Sequence, residues 1–347
     1  QVMKNSILLS ICIPTFNRAA YLSLCLSQLA IQLPEFDGLV DLSVYDNNSN
    51  DNTKQIVAGF IANGLKLKYY RNPKNIGSDK NIAQCYDRSC GQYVLVFGDD
   101  DVLTDGSLSR IINAIKQGRS KYGAIYIRAY GFNNDPKNEK PFQFLKSDLE
   151  VYDADHFFKQ VSTNIAFTSS LVINKSKIPD LYANQFIGSS LVQIYVLYKA
   201  VTNAEKSLII DEYLVAAKRI ENRDYDVTDV FSESLNIALS YFVARGLSES
   251  TQKNINRKLL WYFYPQFFLT LRCNKEVKAC LNESRIKMRA RYKYEPLYWL
   301  CVYPMLHAPK MIVGFWAVTL IVISRLITGE FGRLYAALKS KMSPNGR

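Results

Sequence analysis

The sequence predicts an α/β fold over residues 1–228, a mostly parallel central sheet flanked by helices, followed by a helical region over 229–347. Two observations predict the sheet. Short apolar runs alternate with amphipathic helical patterns through residues 7–103, the order that builds parallel strands joined by crossover helices. One of those runs, Tyr93-Val94-Leu95-Val96-Phe97, is too short for a core helix and rich in β-branched and aromatic residues, so it reads as a buried central strand. A third observation sets off the C-terminal region, where the alternation gives way near residue 229 to long apolar-striped helices.

The elements follow in order. Residues 7–13 form a first buried strand running into Pro14-Thr15-Phe16-Asn17-Arg18, a loop that opens a helix and not the small-residue cleavage site of a signal peptide. Leu22, Leu26, Leu29 and Leu33 then recur at helical spacing. A second strand over 39–45 leads into the polar run from Asp46 to Thr53, whose Asx and Ser side chains suit a loop and a helix cap. Ile56, Val57, Phe60 and Ile61 give the next apolar face, and 65–70 reads as a short edge strand. The turn-rich stretch 71–81 enters another helix. There Gly77 permits a backbone conformation closed to other residues, and Lys80 is either a cation for a diphosphate at the helix start or a solvated lysine.

The central strand ends in Asp99-Asp100-Asp101. Three adjacent carboxylates repel one another, and burying them unpaired costs on the order of several kcal/mol. A hard divalent cation, Mg²⁺ or Mn²⁺, removes that cost and is normally shared with a substrate's phosphates. The place is right as well, because ligands of open α/β sheets bind beyond the carboxyl ends of the strands. The bland alternative is a solvated acidic turn.

Composition narrows the partners. Of 347 residues 48% are hydrophobic, so a globular core is assured. A net charge of +12 points to an anionic partner: nucleic acid, a nucleotide substrate or an acidic membrane surface. The seven cysteines (Cys12, Cys25, Cys85, Cys90, Cys273, Cys280 and Cys301) are scattered and odd in number, which suits reduced thiols in a cytosolic setting. His156 and His307 are the two histidines, which argues against a zinc site built on histidine.

Several spaced motifs in the right order resemble the nucleotide-sugar-binding half of a GT-A glycosyltransferase of family 2. They are Ser10-Ile11-Cys12-Ile13-Pro14-Thr15-Phe16-Asn17-Arg18, the stretch 44–53 in place of V-D-D-G-S-x-D-x-T, Asn75-Ile76-Gly77 with Asn81, and Gly91-Gln92-Tyr93 leading into the acidic run. Within the family the chain looks most similar to bacterial O-antigen transferases of the abequosyltransferase kind. The resemblance implies that residues 1–103 bind the nucleotide sugar and 104–228 the acceptor.

Carried over to matching positions, the resemblance implies a nucleotide-sugar site of Pro14, Thr15, Asn17, Arg18, Asp46, Asn48, Asn75, Gly77, Lys80 and Asp99, with Asp46 on the base. Asn47 departs from the family's second Asp, and Gly98 takes the place of the first Asp of the acidic motif. Asp100 then matches the metal-binding Asp and is the principal catalytic and metal residue. Asp99 serves ribose or metal, and Asp101 the metal or the loop. The implied cofactor is Mn²⁺ or Mg²⁺, which with preorganised donors stabilises the departing diphosphate.

The acceptor half reads less clearly. A helix over 108–116, a strand over 124–130, a polar loop over 133–140, an acceptor-side strand within 164–174 and a closing strand at 211–215 are expected, with Lys218 and Arg219 as phosphate contacts. An inverting enzyme needs a carboxylate base, and the family's acidic pair should fall near 186–193, where no acid stands. A base from elsewhere (Asp180, Asp153 or Asp155), a different alignment, or retention without such a base remain open. Ser190 and Gln193 are then sugar or acceptor contacts, weighed against ordinary helix-start chemistry.

The C-terminal region carries helices at 231–244 and 255–271, then a basic run of Arg285, Lys287, Arg289, Arg291 and Lys293. Apolar segments at 296–309 and 311–324 follow, separated by Lys310 and closed by Arg325. Each is shorter than the roughly 20 residues that span a bilayer. Their aromatic residues and basic flanks favour a membrane-surface or re-entrant hairpin over 296–325, weighed against a buried helical pair. The expected protein is a glycosyltransferase on the cytoplasmic face of the bacterial inner membrane, peripheral or monotopic. It would move sugar from a nucleoside-diphosphate sugar to a lipid-linked glycan acceptor, with an anionic membrane surface as partner and no nucleic acid. A nucleotidyltransferase would need a Gly-rich first loop, and a polyanion-binding module would need basic and aromatic residues interleaved across a sheet.

Overall fold

The computed structural model describes residues 7–143, 147–180, 182–219, 226–273 and 278–328. The ends of both expected regions, 220–225 and 329–347, lie outside the described residues. The chain divides into two compact units: residues 1–140, 145–157 and 164–221 form one, and 141–144, 158–163 and 222–347 the other.

The first unit is the expected α/β sheet. Strand β1 (Leu9–Thr15) pairs in parallel with β2 (Val40–Asp46) on one side and β4 (Tyr93–Val96) on the other, and β2 pairs in parallel with β3 (Lys68–Arg71). Beyond β4 lies β8 (Leu171–Asn174), antiparallel to β4 and to the long β6 (Tyr122–Phe132). The long β9 (Lys206–Lys218) runs parallel to β6, and β5 (Val102–Leu103) and β7 (Leu149–Val151) pair antiparallel with it. The pairs among β1, β2, β3 and β4 are thus all parallel, and the antiparallel pairs are those made by β5, β7 and β8.

Alternation along β1 explains why helices cover both faces. Leu9, Ile11 and Ile13 are fully buried in one cluster with Leu22, Cys25, Leu26 and Leu29 of α1 (Ala19–Gln32) and with Leu108, Ile111, Ile112 and Ile115 of α4 (Ser107–Gly118). Each such aliphatic side chain contributes about 1.5–3 kcal/mol when fully removed from water. Ser10 and Cys12 point the other way: the Cys12 thiol donates to Cys85 O in α3 (Ser78–Arg88), and Ser10 Oγ accepts from the Gly91 amide at 2.9 Å. Cys12, Cys25, Cys85, Cys90 and Cys301 are free thiols, of which Cys90 is exposed. After α2 (Thr53–Ala62) and α5 (Ala154–Val161), α6 (Val192–Thr202) is buried along most of its length.

The second unit is helical among its described residues. Three of its helices contain π turns, at Val230–Ser234, Leu259–Phe263 and Tyr298–Val302. Arg272 donates to Met305 O and Ala308 O at 2.8 Å each, and Arg285 to Leu306 O at 3.0 and 2.7 Å, which satisfies the last carbonyls of Tyr303–His307. Lys287 pairs with Asp226 and Asp229, and Arg291 bonds Asn236. Of the basic run, Arg285, Lys287 and Arg291 therefore have protein partners. The helix Lys310–Thr328 buries Val313 and Ala317 but exposes Met311 (90%) and Phe315 (76%). Among the described residues no helix is long and apolar enough to cross a membrane.

Gly91 tests the packing beneath the site. A Cβ there would lie 2.6 Å from Ser10 N and 2.9 Å from Leu9 C, both backbone atoms that cannot yield. Gly91→Ala is expected to lower the unfolding free energy by about 1–3 kcal/mol, read as a lowered urea midpoint for the full chain.

Candidate active site

The parallel strands end side by side, with Thr15 of β1 opposite Asp46 of β2 and Cys12 opposite Val96 of β4. The loops that follow therefore meet at one edge, which gathers most of the expected donor residues. At its centre Thr15 Oγ1 donates to Asp99 Oδ2 at 2.7 Å. Arg18 NH1 bridges Asp99 Oδ1 at 3.3 Å and Asp100 Oδ2 at 2.9 Å. Asp101 turns inward, where its Oδ2 accepts from Ser169 Oγ at 2.5 Å and its Oδ1 from the Lys218 amide at 3.3 Å. Ser169 Oγ in turn accepts from the Gly98 amide at 2.9 Å. Sequence reading did not single out Ser169, because its role comes from β8 lying against β4.

Burial drives the electrostatics. Desolvation, and then the neighbouring Asp100 charge, raise Asp99 from 3.8 to about 7, opposed by Thr15 and Arg18. Asp101 is raised well above the ordinary range by burial first and Asp100 second.

A divalent cation can be tested against these positions. Among the described residues no three His, Cys, Asp or Glu side chains converge on one point. Asp99 and Asp101 have both oxygens engaged by protein donors, whereas among the described residues Asp100 has Oδ2 on Arg18 and no hydrogen bond to Oδ1. One carboxylate with a spare oxygen suits Mg²⁺ or Mn²⁺, which take one or two carboxylates and complete their shell with phosphates and water. The residues fit a shared site centred on Asp100, not an all-protein cage.

The base side is organised by amides. Asp46 is fully buried, with Oδ1 accepting from the Ser49 amide at 2.8 Å, Oδ2 from the Tyr69 hydroxyl at 2.5 Å, and Arg71 Nε 3.7 Å away. Asn17 (φ 53°) and Asn48 (φ 69°) sit in the left-handed region that asparagine tolerates. The Asn17 amide donates to Ser49 Oγ at 2.9 Å, and its Oδ1 accepts from the Asn50 amide at 2.7 Å. Pro14 is half-buried at the end of β1.

Asn47 Nδ2 donates to Asn75 Oδ1 at 2.8 Å, an oxygen that also accepts from the Gly77 amide, while Asn47 Oδ1 accepts from the Ile76 amide at 2.9 Å. A carboxylate at 47 would set one oxygen against another, which gives the departure from the family motif a physical reason. Gly77 adopts φ 86°, as expected of a position closed to other residues. Lys80 is exposed on the first turn of α3.

The acceptor-side residues lie apart from that cluster. Ser190 is exposed with φ 60°, and no side chain caps α6. Gln193 is buried, donates Nε2 to Ala166 O at 2.8 Å, and among the described residues leaves Oε1 without a hydrogen-bond partner. Of the three candidate acids, Asp153 caps the helix at His156 N (2.7 Å), Asp180 is exposed and Asp155 is half-buried. Lys218 Nζ bonds Asn133 O and Arg219 pairs with Glu139 at 3.6 Å. A carboxylate unforeseen from the sequence, Asp79, binds the loop where the family's acids were expected.

A mostly parallel sheet whose carboxyl edge presents buried acids, a bridging arginine and asparagine-lined loops has the layout of an α/β domain of the GT-A type. Residues 10–173, a little under half of the chain, match the family described as Glycosyl transferase family 2. The chain is 29% identical over 181 residues to a GalNAc(5)-diNAcBac-PP-undecaprenol beta-1,3-glucosyltransferase of Campylobacter jejuni, covering 51% of this chain and 57% of that protein. It is 24% identical over 201 residues to abequosyltransferase RfbV of Salmonella typhimurium, covering 55% and 60%. The chain thus spans little more than half the length of these relatives. The fold is shared with S. aureus TarS 1-349 in complex with UDP-GlcNAc (TM-score 0.59, 19% identity, 92% of each chain). It is shared also with mannosyltransferase PcManGT of Pyrobaculum calidifontis in complex with GDP-Man and Mn2+ (TM-score 0.50, 14% identity, 90% and 86%).

The raised Asp99 has a consequence for stability. A carboxyl whose folded pKa lies above its unfolded value stabilises fully below the unfolded pKa and loses that contribution as pH rises through the folded one. For Asp99 the loss runs from near 3.8 to about 7. Asp99→Asn is expected to raise the melting temperature relative to wild type at pH 8 and to change it far less at pH 4, followed by calorimetry.

Proposed function

We propose that the protein transfers a sugar from a nucleoside-diphosphate sugar to a hydroxyl of a lipid-linked bacterial glycan, in surface polysaccharide (O-antigen or capsule) synthesis. The observation that carries the reading is the cluster of Thr15, Arg18, Asp99 and Asp100 at the carboxyl edge of β1 and β4, inside a family 2 domain. The relatives' names support the acceptor class, since one acts on an undecaprenol-linked glycan and another is an abequosyltransferase.

The chain's own groups divide the work. The loops of Pro14, Asn17, Asp46, Asn48, Asn75 and Gly77 frame the nucleoside. Arg18 and Lys80 lie toward the diphosphate, and Asp99, held by Thr15, faces the ribose or phosphates. Asp100 is the carboxylate that would hold Mn²⁺ or Mg²⁺, with Asp101 fixing the loop beneath it. When bound, such an ion stabilises negative charge on the leaving diphosphate. Arg18 adds a fixed positive charge for the same oxygens, in a site where burial strengthens each interaction. On the acceptor side the unpartnered Gln193 Oε1 is a buried acceptor that a sugar hydroxyl would satisfy, and Ser190 lies two positions before α6.

The exposed apolar stripe of Lys310–Thr328 supports a peripheral seat on an anionic membrane surface, on the cytoplasmic face where a lipid-linked acceptor would be met. Met311, Ile312, Phe315 and Val318 are exposed on successive turns.

Two outcomes are expected. Asp100→Ala lowers sugar transfer by roughly 10²–10³-fold, the loss typical of removing one charge-stabilising group, with an unchanged melting temperature. Near-wild-type transfer by this variant counts against the site. Replacing Met311 and Phe315 together by Gln releases the protein from vesicles containing anionic phospholipid in a flotation assay, and undiminished flotation refutes the membrane seat.

A further inference from the structure

The segment before α6 is clamped at two points by α3. Asp87 Oδ1 accepts from the Ala183 amide at 2.8 Å and its Oδ2 from Asn184 Nδ2 at 2.6 Å. Two turns earlier Asp79 Oδ2 accepts from the amides of Gly188 and Ser190 at 2.8 and 2.9 Å. Those two residues both have positive φ, 91° and 60°, and Ser190 holds a conformation that needs a compensating contact. Asp79 supplies it. The resulting strap, 183–190, leaves Ile187 exposed at 36% and stacks Phe186 on Tyr195 at 4.4 Å.

On its other side the same helical turn is tied to the end of β2. Asn81 Nδ2 donates to Tyr45 O at 2.9 Å, and the Gly77 and Ile76 amides bond Asn75 Oδ1 and Asn47 Oδ1 at 2.9 Å each. One rigid turn therefore joins the loop beside the nucleoside to the strap beside Gln193.

We propose that Asp79 is a positioning residue coupling the two halves of the site: a nucleotide seated beside Asn47, Asn75 and Gly77 fixes the start of α3, and Asp79 passes that order to strap 183–190, which sets the acceptor hydroxyl. The inference rests on the glycosyltransferase reading above. A purely structural Asp79 would hold the strap equally with the nucleotide site empty or filled, and that difference is measurable.

Backbone hydrogen exchange of the full chain, with and without UDP or GDP and Mn²⁺, is the test, with a binding isotherm run alongside. In wild type a bound nucleotide is expected to slow exchange at 187–191 by about tenfold. Asp79→Ala loses that slowing while its nucleotide Kd stays within about threefold of wild type, because among the described residues the carboxylate's hydrogen bonds go to the strap amides. Asp79→Asn keeps one acceptor oxygen and the fold, and gives intermediate slowing, so it carries the test if the alanine variant does not fold. Equal slowing in wild type and variants overturns the coupling, as does a wild-type strap indifferent to a nucleotide that the isotherm shows to be bound. Failure of wild type to bind either nucleotide overturns the functional reading and the coupling with it.

Discussion

Everything at the site depends on how the tip of β4 compensates three consecutive carboxylates. Asp99 and Asp101 are nearly buried, at 5% and 4% exposure, and the interior alone would not tolerate them as charges. Neutral donors hold them in place, Thr15 for one and Ser169 for the other. Arg18 contributes the positive charge, yet it reaches Asp99 and Asp100 from a side chain 30% exposed. The cluster thus keeps an acidic character that a further cation can answer, and Asp100 keeps an oxygen with which to do so.

The fold brings those groups together through register. Parallel pairing sets Thr15 beside Asp46 and β4 beside β1, so three loops leave the sheet within reach of one another. The alternation of β1 commits Leu9, Ile11 and Ile13 to one helical layer and Ser10 and Cys12 to the other. Helices on both faces leave the carboxyl edge as the place where the loops must project. The asparagine network of Asn47, Asn72, Asn75 and Asn81 then ties β2 to α3 with neutral groups. A second set of charges beside the first would have raised the burden of compensation.

The legible part of the sequence was the local part. Runs such as 7–13 and 93–97, and the leucine stripe from Leu22, carry their structure in their own spacing, and they appear as β1, β4 and α1. The strand expected at 211–215 is only part of β9, Lys206–Lys218, because a strand flanked by β6, β5 and β7 extends beyond its apolar centre. β5 and β7 were not foreseen at all; at two and three residues they have no pattern of their own and exist through pairing. Within the candidate site, Thr15, Arg18, Asp99 and Asp100 are joined by a hydrogen bond and two ion pairs. Ser169 and Asp79 were invisible, since their partners lie 68 and more than 100 positions away. Part of the basic run is taken up within the protein, because Arg285 answers Leu306 O at a helix end, Lys287 pairs with Asp226 and Asp229, and Arg291 bonds Asn236.

The central claim, that the acids at the tip of β4 and a diphosphate together hold a cation, is tested most directly by Mn²⁺ electron paramagnetic resonance with and without a nucleoside diphosphate. Wild type is expected to bind Mn²⁺ tightly only when the nucleotide is present, and Asp100→Asn to lose this ternary binding. Mn²⁺ retained equally by Asp100→Asn, or no Mn²⁺ held by wild type with either UDP or GDP, would contradict the claim.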